Sequence, residues 1–313
     1  MNRILITGAE GFVGSHLIKV LKESLDIIIP TCFPLLKPKR GKFVSMDIMN
    51  IEMVREVFKS HNPDIIFHLA AVSSVAKSFL DRPFTYNTNI MGTINLLEAA
   101  QSLNKKTKFI FVSTCEVYGG GDNLKEDAKI TLKNPYAASK YASELICSEY
   151  GNSGIDIVIL RPFNHTGPGQ SDDFVLPSIA RQVAEIERGK KIPLIEVGNI
   201  EIRREFINVM DVVLAYKLAI EKCPNGEIYN ISSGKGHTLA EAIDLFKKLA
   251  KVNFDIKVDP SRLRKTDIAV LIGNGEKFSK LTGWVQKISF EKTIEDLLNY
   301  WRAKTQNSRR QEH

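Results

Sequence analysis

Arg3-Ile4-Leu5-Ile6-Thr7-Gly8-Ala9-Glu10-Gly11-Phe12-Val13-Gly14 runs from a short apolar stretch directly into three glycines spaced three apart. Arg3–Thr7 reads as a β-strand and Phe12–Ser24 as an amphipathic helix, so Gly8, Gly11 and Gly14 fall in the turn between them. Glycine serves three ends in such a turn. One lets the chain reverse sharply, one lets backbone N–H groups approach a pyrophosphate, and one lets the helix pack closely on the strand. The free amides and dipole of the helix N-terminus then favour phosphate. This strand–turn–helix predicts a dinucleotide site.

The same texture continues through the first half, as expected for a parallel sheet wrapped by helices. Strands are predicted at Asp26–Pro30, Lys42–Ser45, Asp64–Leu69, Lys108–Ser113 and Asp156–Arg161. Helices are predicted at Ile51–Lys59, from about Asn89 to Leu103, and at Tyr136–Tyr150. Nearly unbroken Ile, Val, Leu and Phe runs fit strands buried on both faces. After Arg161 the chain turns irregular around Pro162, Gly167, Pro168, Gly169 and Pro177. Helices at Pro177–Arg188, Leu239–Leu249 and Phe290–Arg302, a strand at Glu227–Ser232 and an extended Leu263–Asn274 are expected there. The fold class is therefore α/β, a doubly wound parallel sheet with a smaller α+β C-terminal lobe. Residues 1–165, with a return segment at about 205–225, form the dinucleotide domain. Residues 166–204 and 226–313 form the smaller lobe, and a polar tail from Lys304 to His313 is expected to fray.

The chain has 313 residues, 43% hydrophobic and 25% charged, which excludes a disordered or collagen-like chain. No apolar run approaches the ~20 residues a bilayer span requires. Met1–Thr7 is too short for a signal peptide. The net charge of +7 fits anionic small molecules as well as nucleic acid. The sequence points to the former, and a cofactor-sensing or RNA-binding scaffold is the non-enzymatic alternative. Cys32, Cys115, Cys147 and Cys223 are scattered, so neither a metal site nor a disulfide framework is expected, and a reducing cytoplasm fits.

An NAD site usually carries an acid about 20 residues beyond the glycines, on the ribose 2′-hydroxyl. Here the second strand ends Ile29-Pro30-Thr31-Cys32-Phe33, without one. Thr31 can meet a hydroxyl or a phosphate, and Lys37, Lys39 and Arg40 follow. NADP(H) is favoured on that ground, with NAD(H) the alternative. Asp47 either accepts the adenine amino group or caps the next helix.

Tyr136 and Lys140 stand four apart, on one face of a helix. A free tyrosine has a pKa of ~10, and a neighbouring ammonium favours its phenolate. Asn134-Pro135 fixes where this helix starts. Ser113 and Thr114 lie at the carboxyl end of a predicted strand, where open α/β sheets bind ligands. Glu116 is either a second acid–base group or a solvated loop residue. Cys115 and His68 are read as packing residues.

These motifs, with His68-Leu69-Ala70-Ala71 and Arg161-Pro162-Phe163-Asn164, resemble the extended short-chain dehydrogenase/reductases that act on nucleotide sugars, the NAD-dependent epimerase/dehydratase family. The likeness covers roughly residues 1–302 and implies a Rossmann doubly wound domain whose smaller C-terminal α+β lobe binds the substrate. It implies that Thr114, Tyr136 and Lys140 are catalytic, with Glu116 beside them. It implies a cofactor held by Gly8, Gly11, Phe12, Val13, Gly14, Thr31, Asp47, Ile48, Leu69, Ala70 and Ala71. Ser74, Asn164, His165, Val175, Asn199, Arg204 and Arg264 would meet the substrate, the two arginines clamping its diphosphate.

Phe163–Gln170, Gly198–Glu201, Arg204-Glu205-Phe206 and Thr282-Gly283-Trp284 are similar to segments of the GDP-6-deoxy-D-mannose reductase branch. That branch reduces the C4 ketone of a GDP-4-keto-6-deoxy-hexose. Thr114-Cys115-Glu116 fits the GDP-mannose 4,6-dehydratases too, so a dehydratase or a 4-epimerase with tightly bound NAD(P) is the alternative. The branch's Thr-Ser-Arg after the second strand is replaced by Thr31-Cys32-Phe33. Its Arg-Pro-x-Glu/Asp element is replaced by Arg264-Lys265-Thr266-Asp267. The resemblance further implies a homodimer.

Overall fold

Apolar runs that bury both faces of a strand drive the centre of this molecule together. The computed structural model describes residues 1–34, 42–260 and 268–307. Its first half holds β1 (Arg3–Thr7), α1 (Phe12–Leu21), β2 (Ile27–Cys32), β3 (Val44–Ser45), α2 (Ile51–His61), β4 (Ile65–His68) and α3 (Val75–Leu80). There follow α4 (Arg82–Tyr86), α5 (Gly92–Gln101), β5 (Lys108–Val112), β6 (Gly121–Leu124), α6 (Pro135–Asn152) and β7 (Asp156–Pro162). The second half adds β8 (His165–Thr166), α7 (Val175–Ile186), β9 (Leu194–Val197), β10 (Arg203–Arg204), β11 (Ile207–Asn208) and α8 (Val209–Lys222). It closes with β12 (Glu227–Ile231), β13 (His237–Thr238), α9 (Leu239–Leu249), β14 (Asp255–Val258), β15 (Val270–Gly273), α10 (Glu276–Thr282) and α11 (Phe290–Asn307).

Seven strands form the main sheet in the order β3-β2-β1-β4-β5-β7-β12, every pair parallel. The order reverses beside β1, and the crevice beyond the carboxyl ends of β1 and β4 is where such sheets take ligands. One core lies between the sheet and α1, α8 and α10, with Leu17, Phe67, Val212 and Tyr216 at its centre. The opposite face packs on α2, α5 and α6 through Phe58, Leu96, Phe109 and Ile157. A third core, with Ile179, Phe246, Leu297 and Trp301, joins α7, α9 and α11 into the lobe.

Three expectations need correction. Glu227–Ile231, assigned to the lobe, is the edge strand β12 of the main sheet, registered on Val158–Pro162. The helix expected from Asn89 begins earlier, at Arg82, and runs through a π-turn at Asn87–Met91 into α5. Asp81 caps that start by accepting from the Phe84 amide at 2.9 Å, and Pro83 sits in the first turn, where no amide is needed. Lys304–Asn307 is helical rather than frayed, because α11 continues to Asn307, and the rest of the expected tail, 308–313, lies outside the described residues. Leu263–Asp267 lies outside the described residues.

A buried ion pair ties α6 to the sheet. Arg161 on β7 donates from Nη2 to Glu144 Oε2 at 2.6 Å, with both side chains almost wholly excluded from water. Arg161 Nη1 also donates to Tyr118 Oη at 2.9 Å, and Ser113 Oγ donates to Glu144. Removing one partner strands the other's charge, which costs about 3–5 kcal/mol. Glu144→Ala is therefore expected to lose stability of that order in urea unfolding. A loss below ~1 kcal/mol would show that the pair carries no structural weight.

Candidate active site

A cleft of about 1420 Å³ opens over the carboxyl ends of the central strands, between the sheet and the lobe. At its base is the glycine turn. Gly8 has φ +64°, and a Cβ there would lie 2.8 Å from the Ala70 amide nitrogen. A Cβ on Gly14 would lie 2.4 Å from the Gly8 carbonyl oxygen. The chain is thus too tight for side chains at either place, and α1 starts with no side-chain cap on its first-turn amides. Phe12, Val13 and Gly14 line the cleft there. Uncapped amides beside a cradle that any Cβ would fill suit a dinucleotide pyrophosphate.

The β4 end is held by a hydroxyl–imidazole relay. Thr7 Oγ1 accepts from the Leu69 and Ala70 amides, both at 3.1 Å, and so donates its own proton to His68 Nδ1 at 2.8 Å. His68 Nε2 then donates to Thr93 Oγ1 at 3.0 Å, and Thr93 donates to the Asn89 carbonyl at 2.6 Å. Burial pushes the His68 pKa well down, keeping the ring neutral as this relay requires. His68 is a packing residue, as expected, and it fixes Leu69, Ala70 and Ala71 along the cleft.

The three residues expected to be catalytic come from two elements. Thr114 follows β5, and Tyr136 and Lys140 stand on α6, whose N-cap Asn134 accepts from the Ala137 amide at 2.7 Å. Tyr136 and Thr114 share a side-chain hydrogen bond, which draws the phenol pKa down while burial pushes it up more strongly. Burial lowers Lys140 to about 8, with Cys147 and Glu144 opposing. Its ammonium lies over the Phe111 ring, 4.0 Å from the centroid. The expectation that Lys140 depresses the tyrosine pKa is not met by the protein alone: burial dominates, and Lys140 is not among the groups that shift Tyr136. Ser113 is also turned away, its hydroxyl spent on Glu144. Glu116 lines the cleft and accepts from Asn134 Nδ2 at 3.0 Å. Burial pushes the Cys115 thiol well up, in keeping with a packing role.

Around these lie the other expected residues. Asp47 Oδ1 accepts from the Met49 amide at 2.9 Å, while Asn50, rather than Asp47, caps α2. Thr31 is buried and donates to the Ile6 carbonyl at 3.2 Å, so its proton is committed to the sheet. Ile48, Ser74, Val175 and Asn199 all line the cleft. Asn164 Oδ1 is buried with no hydrogen-bond partner among the described residues. His165 stacks on Phe12 with centroids 6.2 Å apart, and its Nδ1 donates to the Phe163 carbonyl at 2.9 Å. Arg204 reaches the cleft, but its guanidinium also donates to the Ile268 and Ala269 carbonyls. Arg264 lies outside the described residues, as do Lys37, Lys39 and Arg40. Sequence reasoning passed over Glu10, Thr88, Gln170 and Gln182, which all line the cleft. An acid inside the glycine turn was the available signal for Glu10.

Comparison with known proteins places this geometry. A family profile described as GDP-mannose 4,6 dehydratase matches residues 5–297. The GDP-6-deoxy-D-mannose reductase of Pseudomonas aeruginosa is 32% identical over 311 residues, covering 96% of this chain and 98% of its own. The GDP-6-deoxy-D-talose 4-dehydrogenase of Aggregatibacter actinomycetemcomitans is 32% identical over 90% of this chain and 91% of its own. Among solved structures, RMD from Pseudomonas aeruginosa complexed with NADPH superposes with a TM-score of 0.87 at 30% identity, over 97% of this chain and all of its own. The UDP-glucose 4-epimerase of Thermotoga maritima, solved with UDP-glucose, gives 0.86 at 30% identity, over 97% of this chain and 99% of its own. A glycine cradle, a Thr–Tyr–Lys group and a whole-chain match together mean that the chain belongs to the GDP-mannose 4,6-dehydratase family of extended short-chain dehydrogenase/reductases.

Proposed function

We propose that this chain is a nucleotide-sugar oxidoreductase that reduces the C4 ketone of a GDP-4-keto-6-deoxy-hexose. The observation that carries the reading is the Thr114–Tyr136 hydrogen bond in the cleft, with Lys140 buried one turn along α6. Similarity over 96% of the chain to a GDP-6-deoxy-D-mannose reductase supports the substrate class. When bound, a nicotinamide dinucleotide supplies the hydride.

The residues divide the remaining work. Tyr136 gives its proton to the ketone oxygen as negative charge develops there, and the burial that raises its pKa keeps it protonated for this step. Thr114, whose oxygen accepts from the Glu116 amide, turns its one proton from the phenol to the same ketone oxygen. Lys140 places a positive charge beside the reacting centre and holds the ribose next to the nicotinamide. Asn164 Oδ1, buried without a described partner, accepts from a ligand donor. Arg204, on the cleft wall, brings its positive charge towards the substrate diphosphate. The segments 166–204 and 232–259, with α11, form the substrate lobe.

Glu116, on the cleft wall beside Thr114, favours a second reading, a 4,6-dehydratase in which this carboxyl handles a further proton. We also propose a homodimer, supported by the exposed Phe79, Leu80, Phe84, Met91 and Leu145 on α3, α4, the π-turn and α6. A reducing cytoplasm is supported by four cysteines that are all buried and free. No helix among the described residues is long and apolar enough to cross a membrane.

Purified protein given GDP-4-keto-6-deoxy-mannose should consume one equivalent of reduced cofactor per ketone. Thr114→Val should slow kcat about a hundredfold with little change in KM. Interconversion of a nucleotide hexose with no net cofactor loss would overturn the reductase. The pH profile of kcat/KM should fall above about 8 as Lys140 loses its proton. That alkaline limb should move upward in Lys140→Arg, whereas a wild-type profile flat to pH 10 would remove the ammonium from the mechanism. Light scattering should give a dimer for the wild type and a monomer for Leu145→Glu; a monomeric wild type refutes the interface.

A further inference from the structure

The described part of the cofactor cleft has an acid where the sequence of the second strand has none. Glu10 sits between Gly8 and Gly11 in the turn after β1 and lines the cleft with Thr31, Cys32 and Phe33. β1 and β2 are neighbouring parallel strands, so the turn after one adjoins the end of the other. Glu10 Oε1 accepts from the Phe33 amide at 3.3 Å, which fixes the carboxylate against the first residue beyond β2. Its other oxygen, Oε2, is buried and has no hydrogen-bond partner among the described residues. The charge is close enough to Cys32 to help hold that thiol protonated, in addition to burial.

A buried carboxylate oxygen without a donor is costly, and a donor that arrives with a ligand removes that cost. The end of the second strand is where a dinucleotide fold meets the adenosine ribose, through an acid on the 2′-hydroxyl or a cation on a 2′-phosphate. Thr31 offers no proton there, because its hydroxyl is donated to the Ile6 carbonyl.

We propose that Glu10 is the specificity residue of the cofactor site, reaching across from the glycine turn to accept the adenosine ribose 2′-hydroxyl, so that the protein prefers NAD(H) to NADP(H). A hydroxyl donates to Glu10 Oε2. A phosphate in its place brings about two negative charges against an already buried anion and has little proton to donate at neutral pH. The preference reverses the NADP(H) expectation, which rested on the missing acid at the strand end and on Lys37, Lys39 and Arg40 after it. It also separates this chain from the relative solved with NADPH. The inference rests on the dinucleotide reading of the cleft.

Calorimetric titration of the full chain with NADH and with NADPH tests it, with no turnover required. Wild type should bind NADH at least about tenfold more tightly, a difference of ~1.4 kcal/mol. Glu10→Ala should lose most of that ratio, chiefly by gaining affinity for NADPH, and Glu10→Gln should fall between the two. Thermal unfolding of each variant establishes that it is folded. A wild type that prefers NADPH, or a ratio unchanged in folded Glu10→Ala, overturns the assignment of Glu10 and leaves the dinucleotide site standing. A folded wild type that binds neither nucleotide overturns both.

Discussion

The placement of α6, which carries Tyr136 and Lys140, depends on one buried charge pair. Glu144 lies two turns beyond Tyr136 on α6, and Arg161 holds it from β7 while Ser113 holds it from the end of β5. Thr114 is the next residue after Ser113. The hydroxyl and phenol that meet in the cleft are therefore positioned from the same buried carboxylate, one through a strand end and the other through a helix. Ion pairs this dry add little net stability over an apolar replacement. Their geometry is demanding, however, and here that geometry fixes how Thr114 and Tyr136, the two groups proposed to react, lie relative to each other.

Much of this was readable in order along the chain because the interactions are local. The glycines at 8, 11 and 14 announce a turn whose backbone leaves no room for a Cβ. Tyr136 and Lys140 share a helix face by spacing alone, and Asn134 caps where its type predicts. The parallel sheet could be read from strand composition. Which strands joined it could not: Glu227–Ile231 looks the same whether it pairs with the lobe or with β7, and only a contact across some seventy residues decides.

The site was legible in its members and less so in what each does. Every expected residue within the described chain borders the cleft. Their hydrogen bonds are another matter. Thr31 and Ser113 turn their protons inward, and the Arg204 guanidinium, at the cleft, also donates to three carbonyls. Glu205, beside it, is fully buried and accepts from Ser232 at 2.6 Å and from the Gly273 amide at 2.8 Å, tying the segment after β10 to the ends of β12 and β15. Side-chain direction depends on neighbours distant in sequence, which spacing does not encode.

The interleaving of the two halves has a consequence for how such a chain can be altered. From β7 the chain passes into the lobe, returns for α8 and β12, leaves for α9 and β14, returns for α10 and ends in α11 against α7. The lobe is therefore not a module that a single splice can exchange for another. Recombination between relatives would have to preserve several junctions at once. New sugar preferences in this architecture are more readily reached by point changes on the cleft wall than by shuffling whole segments.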